Sequence, residues 1–230
     1  MDEDRPSAVD AVAALAEPTR RRVYDHVVRQ VAAVGRDDVA EALTLPRATA
    51  AFHLDRLVAE GLLDVHFERR SGRTGPGAGR PAKLYRRAAC SLSVSLPERR
   101  YDLAGELLAA ALEEAERSGE RPGVVLDRRA HERGRELAAA AGGPAGRETV
   151  LRVLEDHGFE PRSEGDTVTL GNCPFHSLAQ QHTELVCGMN LRLLDGLLDG
   201  AGGGVGAPFT ARLSPEPGRC CVRLEPATTG

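Results

Sequence analysis

The chain has 230 residues, of which 41% are apolar and 28% charged, with a formal net charge of −4. That length has room for two modest domains, and the composition is that of a folded chain rather than a disordered one. No apolar run approaches the ~18 residues needed to cross a bilayer, and the opening MDEDRPS is too polar for an export signal, so a cytoplasmic location is expected.

Trp is absent and aromatics make up only 3%, which leaves the cores to Ala, Leu and Val. Charge is unevenly spread. Residues 1–96 carry 15 basic and 13 acidic side chains, a net +2, against 15 and 21 in the remainder, a net −6. Arg69, Arg70, Arg73, Arg80, Lys83, Arg86 and Arg87 crowd one segment with only Glu68 against them, a stripe suited to phosphate contacts.

In chain order, Ser7 is positioned to cap a helix with Val9, Val12, Ala13 and Ala16 as its apolar face. Glu17-Pro18-Thr19 interrupts it, and Thr19 is expected to cap a second helix with Val23, Val27 and Val31 inward, ended by Gly35. A short third helix spans Arg36 to Leu43. A fourth starts at Pro46 and runs to Glu60, with Ala50, Leu54, Leu57 and Val58 inward. The turn Thr44-Leu45-Pro46 between them makes a helix-turn-helix.

LLDVHFER and AKLYRRA then alternate like strands around the glycine-rich SGRTGPGAGRP, a hairpin wing with a basic tip. That tip lacks a following Gly-Lys-Ser/Thr, so it is no phosphate-binding nucleotide loop, and AGGGVG at 201–206 fails the same test. Near the start of the fourth helix, Arg47, Thr49 and His53 are the candidates for base or backbone contact in the major groove. Arg69, Arg73, Arg80 and Lys83 are the candidates for phosphate contact.

LAEPTRRRVYDHV, ATAAFHLDRLVAEGLLD and GRPAKLYR together resemble the DNA-binding domain of ArsR-type regulators. The resemblance covers about the first ninety residues. It implies a winged helix-turn-helix and a double-stranded DNA operator as partner.

Beyond residue 96, Pro97 opens a long helix to about Arg117 with Leu103, Leu107, Leu108, Ala111 and Leu112 on one face, suited to dimerisation. Helices over 124–141 and Arg147 to His157 follow, and DTVTL is a short strand leading into Asn172-Cys173-Pro174. A short helix from Phe175 to Gln181 precedes a longer one from Glu184 to Leu198 that carries Cys187. PFTARLS and RCCVRLEP read as paired strands. The fold class is therefore α+β. Residues 1–96 form the winged domain, and 97–230 a helical dimerisation segment with a small α+β sensor domain.

Four of the five cysteines, Cys173, Cys187, Cys220 and Cys221, fall in the last quarter of the chain, with His176 and His182 between the first two. Clustered thiols in a reducing compartment point to metal or redox chemistry rather than structural disulfides. Strand alternation in RCCVRL turns Cys220 inward with Val222 and Cys221 outward with Arg223, although both stay candidates. Cys90, in the linker, reads as structural.

Four readings of the cluster stand: an iron–sulphur centre, zinc in a Cys3His set, a metal-free thiol switch, and buried small side chains. An enzyme with Cys173 as nucleophile and His176 or His182 as base has no oxyanion motif or third orienting residue to support it, so the expectation is a non-enzyme.

NCPFH…VCGMN…RCC resembles the C-terminal region of the SufR-type branch of ArsR-like regulators. The resemblance implies a homodimeric repressor of iron–sulphur assembly genes that binds a [4Fe–4S] or [2Fe–2S] cluster. Cys173, Cys187 and one of Cys220 or Cys221 fall on ligand positions. That branch carries a further cysteine between the second and last positions, whereas this chain has none from 188 to 219. The fourth ligand is left to the spare vicinal thiol, His176, His182, a carboxylate or an exogenous group.

Overall fold

A computed structural model describes residues 8–68, 81–201, 208–216 and 218–227. The chain is α+β and divides into two compact units, Met1–Val94 and Ser95–Gly230. Among the described residues no helix is long and apolar enough to cross a membrane.

In the first unit the elements are α1 (Ala8–Ala14), α2 (Pro18–Val28), β1 (Val34–Gly35), α3 (Arg36–Leu43), α4 (Arg47–Ala59), β2 (Leu63–Glu68) and β3 (Ala82–Arg87). α1 buries Ala11 and Ala14, leaving Val9 and Val12 exposed, so its inward face is opposite the one the valines suggest. α2 is capped by Glu17 rather than Thr19: the carboxylate accepts from the Thr19 and Arg20 backbone N–H groups, and Pro18 occupies the first turn, where its missing N–H is harmless. Val31 lies beyond the end of α2 and is fully exposed.

Gly35 opens α3 instead of closing α2, its N–H donating to Asp38 Oδ2 at 2.8 Å. Thr44 closes α3 in the left-handed region at φ 54°, and Leu45 N–H returns to Ala40 O, which makes the turn into Pro46 and α4 tight. Ala50, Leu54 and Leu57 bury one face of α4, each leucine contributing roughly 1.5–3 kcal/mol by leaving water. The strands form a three-stranded antiparallel sheet in the order β1-β3-β2, with Val65 opposite Tyr85 and Gly35 opposite Leu84.

The second unit begins with α5 (Tyr101–Ser118), α6 (Pro122–Ala141) and α7 (Arg147–Asp156), followed by the hairpin β4 (Pro161–Glu164) and β5 (Thr167–Leu170). Then come α8 (His176–Gln181), α9 (Thr183–Ala201), β6 (Phe209–Leu213) and β7 (Val222–Pro226). The sheet is antiparallel in the order β4-β5-β7-β6, with Val168 opposite Leu224 and Leu213 opposite Val222.

α6 and α9 cross with almost no side chain between them. A methyl group at Gly134 would lie 2.0 Å from Leu193 O, and one at Gly196 would lie 1.9 Å from His131 O. Only glycine permits backbones to approach this closely. α5 buries Leu103, Ala104, Leu107, Ala111 and Ala115, while Leu112 stands 54% exposed, with Leu108 half-buried on the same side.

Candidate functional site

Strand β5 delivers Leu170 into the core and passes the chain to Asn172, whose buried amide fixes the following loop. Asn172 Nδ2 donates to Gly158 O at 2.6 Å and Glu98 O at 3.0 Å, and its Oδ1 accepts from Arg99 Nη1 at 2.5 Å. Arg99 Nη1 also donates to Cys173 O at 3.0 Å, and Arg100 N–H donates to Pro174 O at 3.1 Å. The Tyr101 hydroxyl lies 2.9 Å from Ser177 Oγ. The three residues that lead into α5 and its first residue, Tyr101, are thus laced to the loop carrying Cys173 and the start of α8. Below it, Phe175 is fully buried and packs edge-on against Phe159.

Cys187 sits near the start of α9, buried, and Cys220 and Cys221 arrive just ahead of β7. β7 starts at Val222, so the two vicinal thiols are not in extended strand and the expected opposite-face rule does not govern them. Cys220 does point inward, at 3% exposure, held by its N–H to Leu170 O at 3.0 Å. Cys221 is half-buried and still reaches the cluster.

The four free thiols form one chain of contacts: Cys173 with Cys220, Cys220 with Cys221, and Cys221 with Cys187. The hydrogen bond to Cys220, and then burial, push the Cys173 thiol well up, against the Phe175 N–H and the Arg99 charge. Contact with Cys173 draws the Cys220 thiol down, but its hydrogen bond to Cys221 and its burial prevail and raise it to about 12. Burial raises Cys187, partly offset by Cys221. These three thiols are protonated at neutral pH, and any metal they take must displace protons.

Among the described residues no group of three or more His, Cys, Asp or Glu side chains stands ready to hold a metal ion. The sulphurs make an open chain rather than a closed cage. Three of the sulphur contacts come from N–H donors, at Phe175, Val222 and Asn190. A cavity of about 200 Å³ bordered by Thr167, Thr169, Ser214, Arg219 and Arg223 reaches Cys220 from outside.

His176 and His182 are both exposed, and neither is among the groups acting on the Cys173, Cys187 or Cys220 thiols. His182 instead lines an open cleft of about 910 Å³ with Arg121, Val124 and Leu185. Cys90 belongs to the first unit, its thiol donating to Gly61 O at 3.3 Å.

In the first unit, Arg47 is exposed near the start of α4 and donates to Asp37 Oδ2 at 3.0 Å, and Thr49 is half-buried. Lys83 Nζ donates to Asp55 Oδ1 at 2.6 Å, where the Tyr85 hydroxyl also donates at 2.9 Å. His53 corrects the sequence expectation: it is only 7% exposed, with Nδ1 3.5 Å from Glu17 Oε2, because its position falls on the inward face between Ala50 and Leu57. Phe52, unremarked in the sequence, stands on the outer face of α4 and is 64% exposed. Arg69, Arg73 and Arg80 lie outside the described residues.

No known protein-family model matches this chain, and no curated protein or solved structure is significantly similar to it.

Proposed function

We propose that this chain is a DNA-binding transcription regulator, a repressor, whose second unit is a sensor built on Cys173, Cys187, Cys220 and Cys221. The single observation that carries the sensor reading is the convergence of these four unbridged thiols from a loop, a helix and a strand approach. Buried thiols that served only as small core residues would have no need to gather from three elements.

The first unit is read as a winged helix-turn-helix. α3 and α4 meet through the three-residue turn, and β2 with β3 supplies the wing. α4 then offers Arg47, Thr49 and the exposed Phe52 to the major groove, with Lys83 near phosphates. The outer face of α5, with Leu108, Ala109 and Leu112, is read as the contact between two copies of the chain. Two copies would present two α4 helices to successive major grooves ~34 Å apart.

An iron–sulphur cluster is the group these donors favour, held by the four cysteine sulphurs. Such a group supplies a link between thiolates that is lost or altered by oxidation or iron shortage. The chain's own part is to bring the sulphurs together and give up their protons. A metal-free thiol switch is the second reading, favoured by the close Cys173–Cys220 and Cys187–Cys221 contacts. Zinc on the same sulphurs is a third.

Anaerobic purification with iron, zinc and acid-labile sulphide analysis decides among them. Iron with sulphide and a broad visible absorption supports the cluster. Zinc without sulphide replaces it, and a colourless protein with reversible thiol pairing leaves the switch. Selection of bound fragments from random duplex DNA, run with loaded and metal-free protein, tests regulation. Equal DNA affinity in the two states would remove the sensor role.

A further inference from the structure

The sequence holds five phenylalanines, and the fold uses them in two ways. Phe159, Phe175 and Phe209, in the second unit, are each at most 3% exposed. Phe52 and Phe67, in the first unit, are 64% and 62% exposed. The core of the first unit is lined by Ala, Val and Leu with Tyr85. A phenyl ring on its surface therefore forgoes the burial that its counterparts in the second unit take.

Phe52 stands on the exposed face of α4, one turn after Ala48 and one turn before Arg56. The other exposed members of that face, Ala48, Asp55, Arg56 and Ala59, are small or charged. The ring meets only the edge of His53, with centroids 5.3 Å apart. Around it are exposed cations, each paired with a carboxylate: Arg47 with Asp37, Arg56 with Glu60, and Lys83 of β3 with Asp55. An apolar ring among surface cations is complementary to a polyanion that itself presents an apolar group.

Phenyl has no donor or acceptor, so it cannot read a base by hydrogen bonding. In the major groove the base-pair edges carry one apolar group, the C5 methyl of thymine. From this placement we propose that Phe52 is a specificity-determining residue that packs its ring against a thymine methyl. The inference rests on the reading of the first unit as DNA-binding. Ala48, one turn nearer the helix start, is too short to stand between the ring and a base edge. Phosphate contacts such as that of Lys83 hold all sequences alike, and the ring adds a preference among them.

The test uses the full-length chain and the duplexes it retains from a random DNA pool. Each duplex is synthesised again with one thymine at a time replaced by deoxyuridine, which keeps every hydrogen-bonding group and loses only the methyl. One such replacement is expected to weaken binding about fourfold, the worth of a single buried methyl group. Phe52→Ala is expected to bind the thymine and uracil duplexes equally. Should that variant fail to fold, Phe52→Gln makes the same comparison with the same expectation. A ring that merely supported α4 would leave the thymine preference in the variant undiminished, and that result overturns the inference. So does the absence of any position at which uracil weakens the unaltered chain, with DNA binding itself left standing. Retention of no duplex at all sinks the DNA-binding reading and this inference together.

Discussion

Arg99 donates to the carbonyl oxygen of Cys173 at 3.0 Å, and the same nitrogen holds the Asn172 side chain at 2.5 Å. One guanidinium thus grips the first cysteine of the site from the segment that immediately precedes α5. The grip is a charge-assisted hydrogen bond to a loop that also carries Pro174 and Phe175. Arg99→Met retains the aliphatic stem but removes the donors. It is expected to destabilise the second unit by about 1.5–3 kcal/mol, read as a lower urea midpoint. It should also speed hydrogen exchange in residues 172–177. A midpoint indistinguishable from the parent would show that Asn172 holds the loop unaided.

The α6–α9 crossing predicts opposite outcomes for two glycines on one helix. At Gly196 a methyl group would meet the His131 carbonyl, and the obstacle is backbone, so the helices must separate. Gly196→Ala is expected to cost about 3 kcal/mol or more. At Gly188 a methyl group meets nothing within 4 Å, and Gly188→Ala is expected to add up to about 1 kcal/mol through helix propensity. Thermal melts of the two variants side by side check this, and similar shifts for both would refute the crossing geometry.

His157 closes α7 half-buried, with Nδ1 buried and unpartnered. Burial, then the Arg100 charge, holds its pKa below the ordinary 6.5, against opposing help from the Val153 carbonyl, Asp156 and Glu98. The neutral ring is the folded form. Its contribution is therefore present above the unfolded value of 6.5 and is lost as pH falls through the depressed folded value. The urea midpoint should decline as pH drops below about 6.5, and His157→Gln should flatten that decline. An unchanged acid limb in the variant would assign the loss to other groups.

Asp55 joins α4 to β3 by accepting from both Lys83 and the hydroxyl of Tyr85, a residue only 2% exposed. Asp55→Ala leaves the Tyr85 hydroxyl without its acceptor, an expected loss of about 1–3 kcal/mol from the first unit. If Lys83 contacts phosphate, Lys83→Ala should flatten the salt dependence of duplex DNA binding by about 0.9 in log–log slope. Filter binding across a salt series gives that slope, and an unaltered value would remove Lys83 from the interface.

Much of the architecture is legible in the chain because apolar spacing is a strong signal. Leu54 and Leu57, Leu103 and Leu107, and Leu193 and Leu197 recur at helical intervals and are buried as their spacing suggests. Elements held by pairing alone left no such mark. β4 is Pro161-Arg-Ser-Glu, a polar edge strand, and β1 has only two residues. Helix ends are ambiguous where two residues compete for one role, as Glu17 and Thr19 do at the start of α2.

At the site, the thiols are visible as residue types, but their mutual order is not. Alternation places Arg219, Cys220 and Cys221 in the strand, whereas β7 begins three residues further on, at Val222. His53 is ambiguous in sequence because histidine suits both a groove and a core, and its burial beside Glu17 places it inside. Asn190 did leave a trace, as the single amide within the apolar face Val186-Met189-Leu193-Leu197.

The glycines that let α6 and α9 touch also set the mechanics of the cysteine site. With Gly134 under Leu193 O and Gly196 under His131 O, α9 has no clearance in which to roll or slide. The helix that carries Cys187 and Asn190 is consequently the anvil, seated against its neighbour over most of its length. The Asn172–Phe175 loop and the Cys220–Cys221 approach, the hammer side, meet it from outside that crossing. That loop is the one tied to Glu98, Arg99 and Arg100. Any displacement of that loop therefore pulls directly on the segment that opens α5.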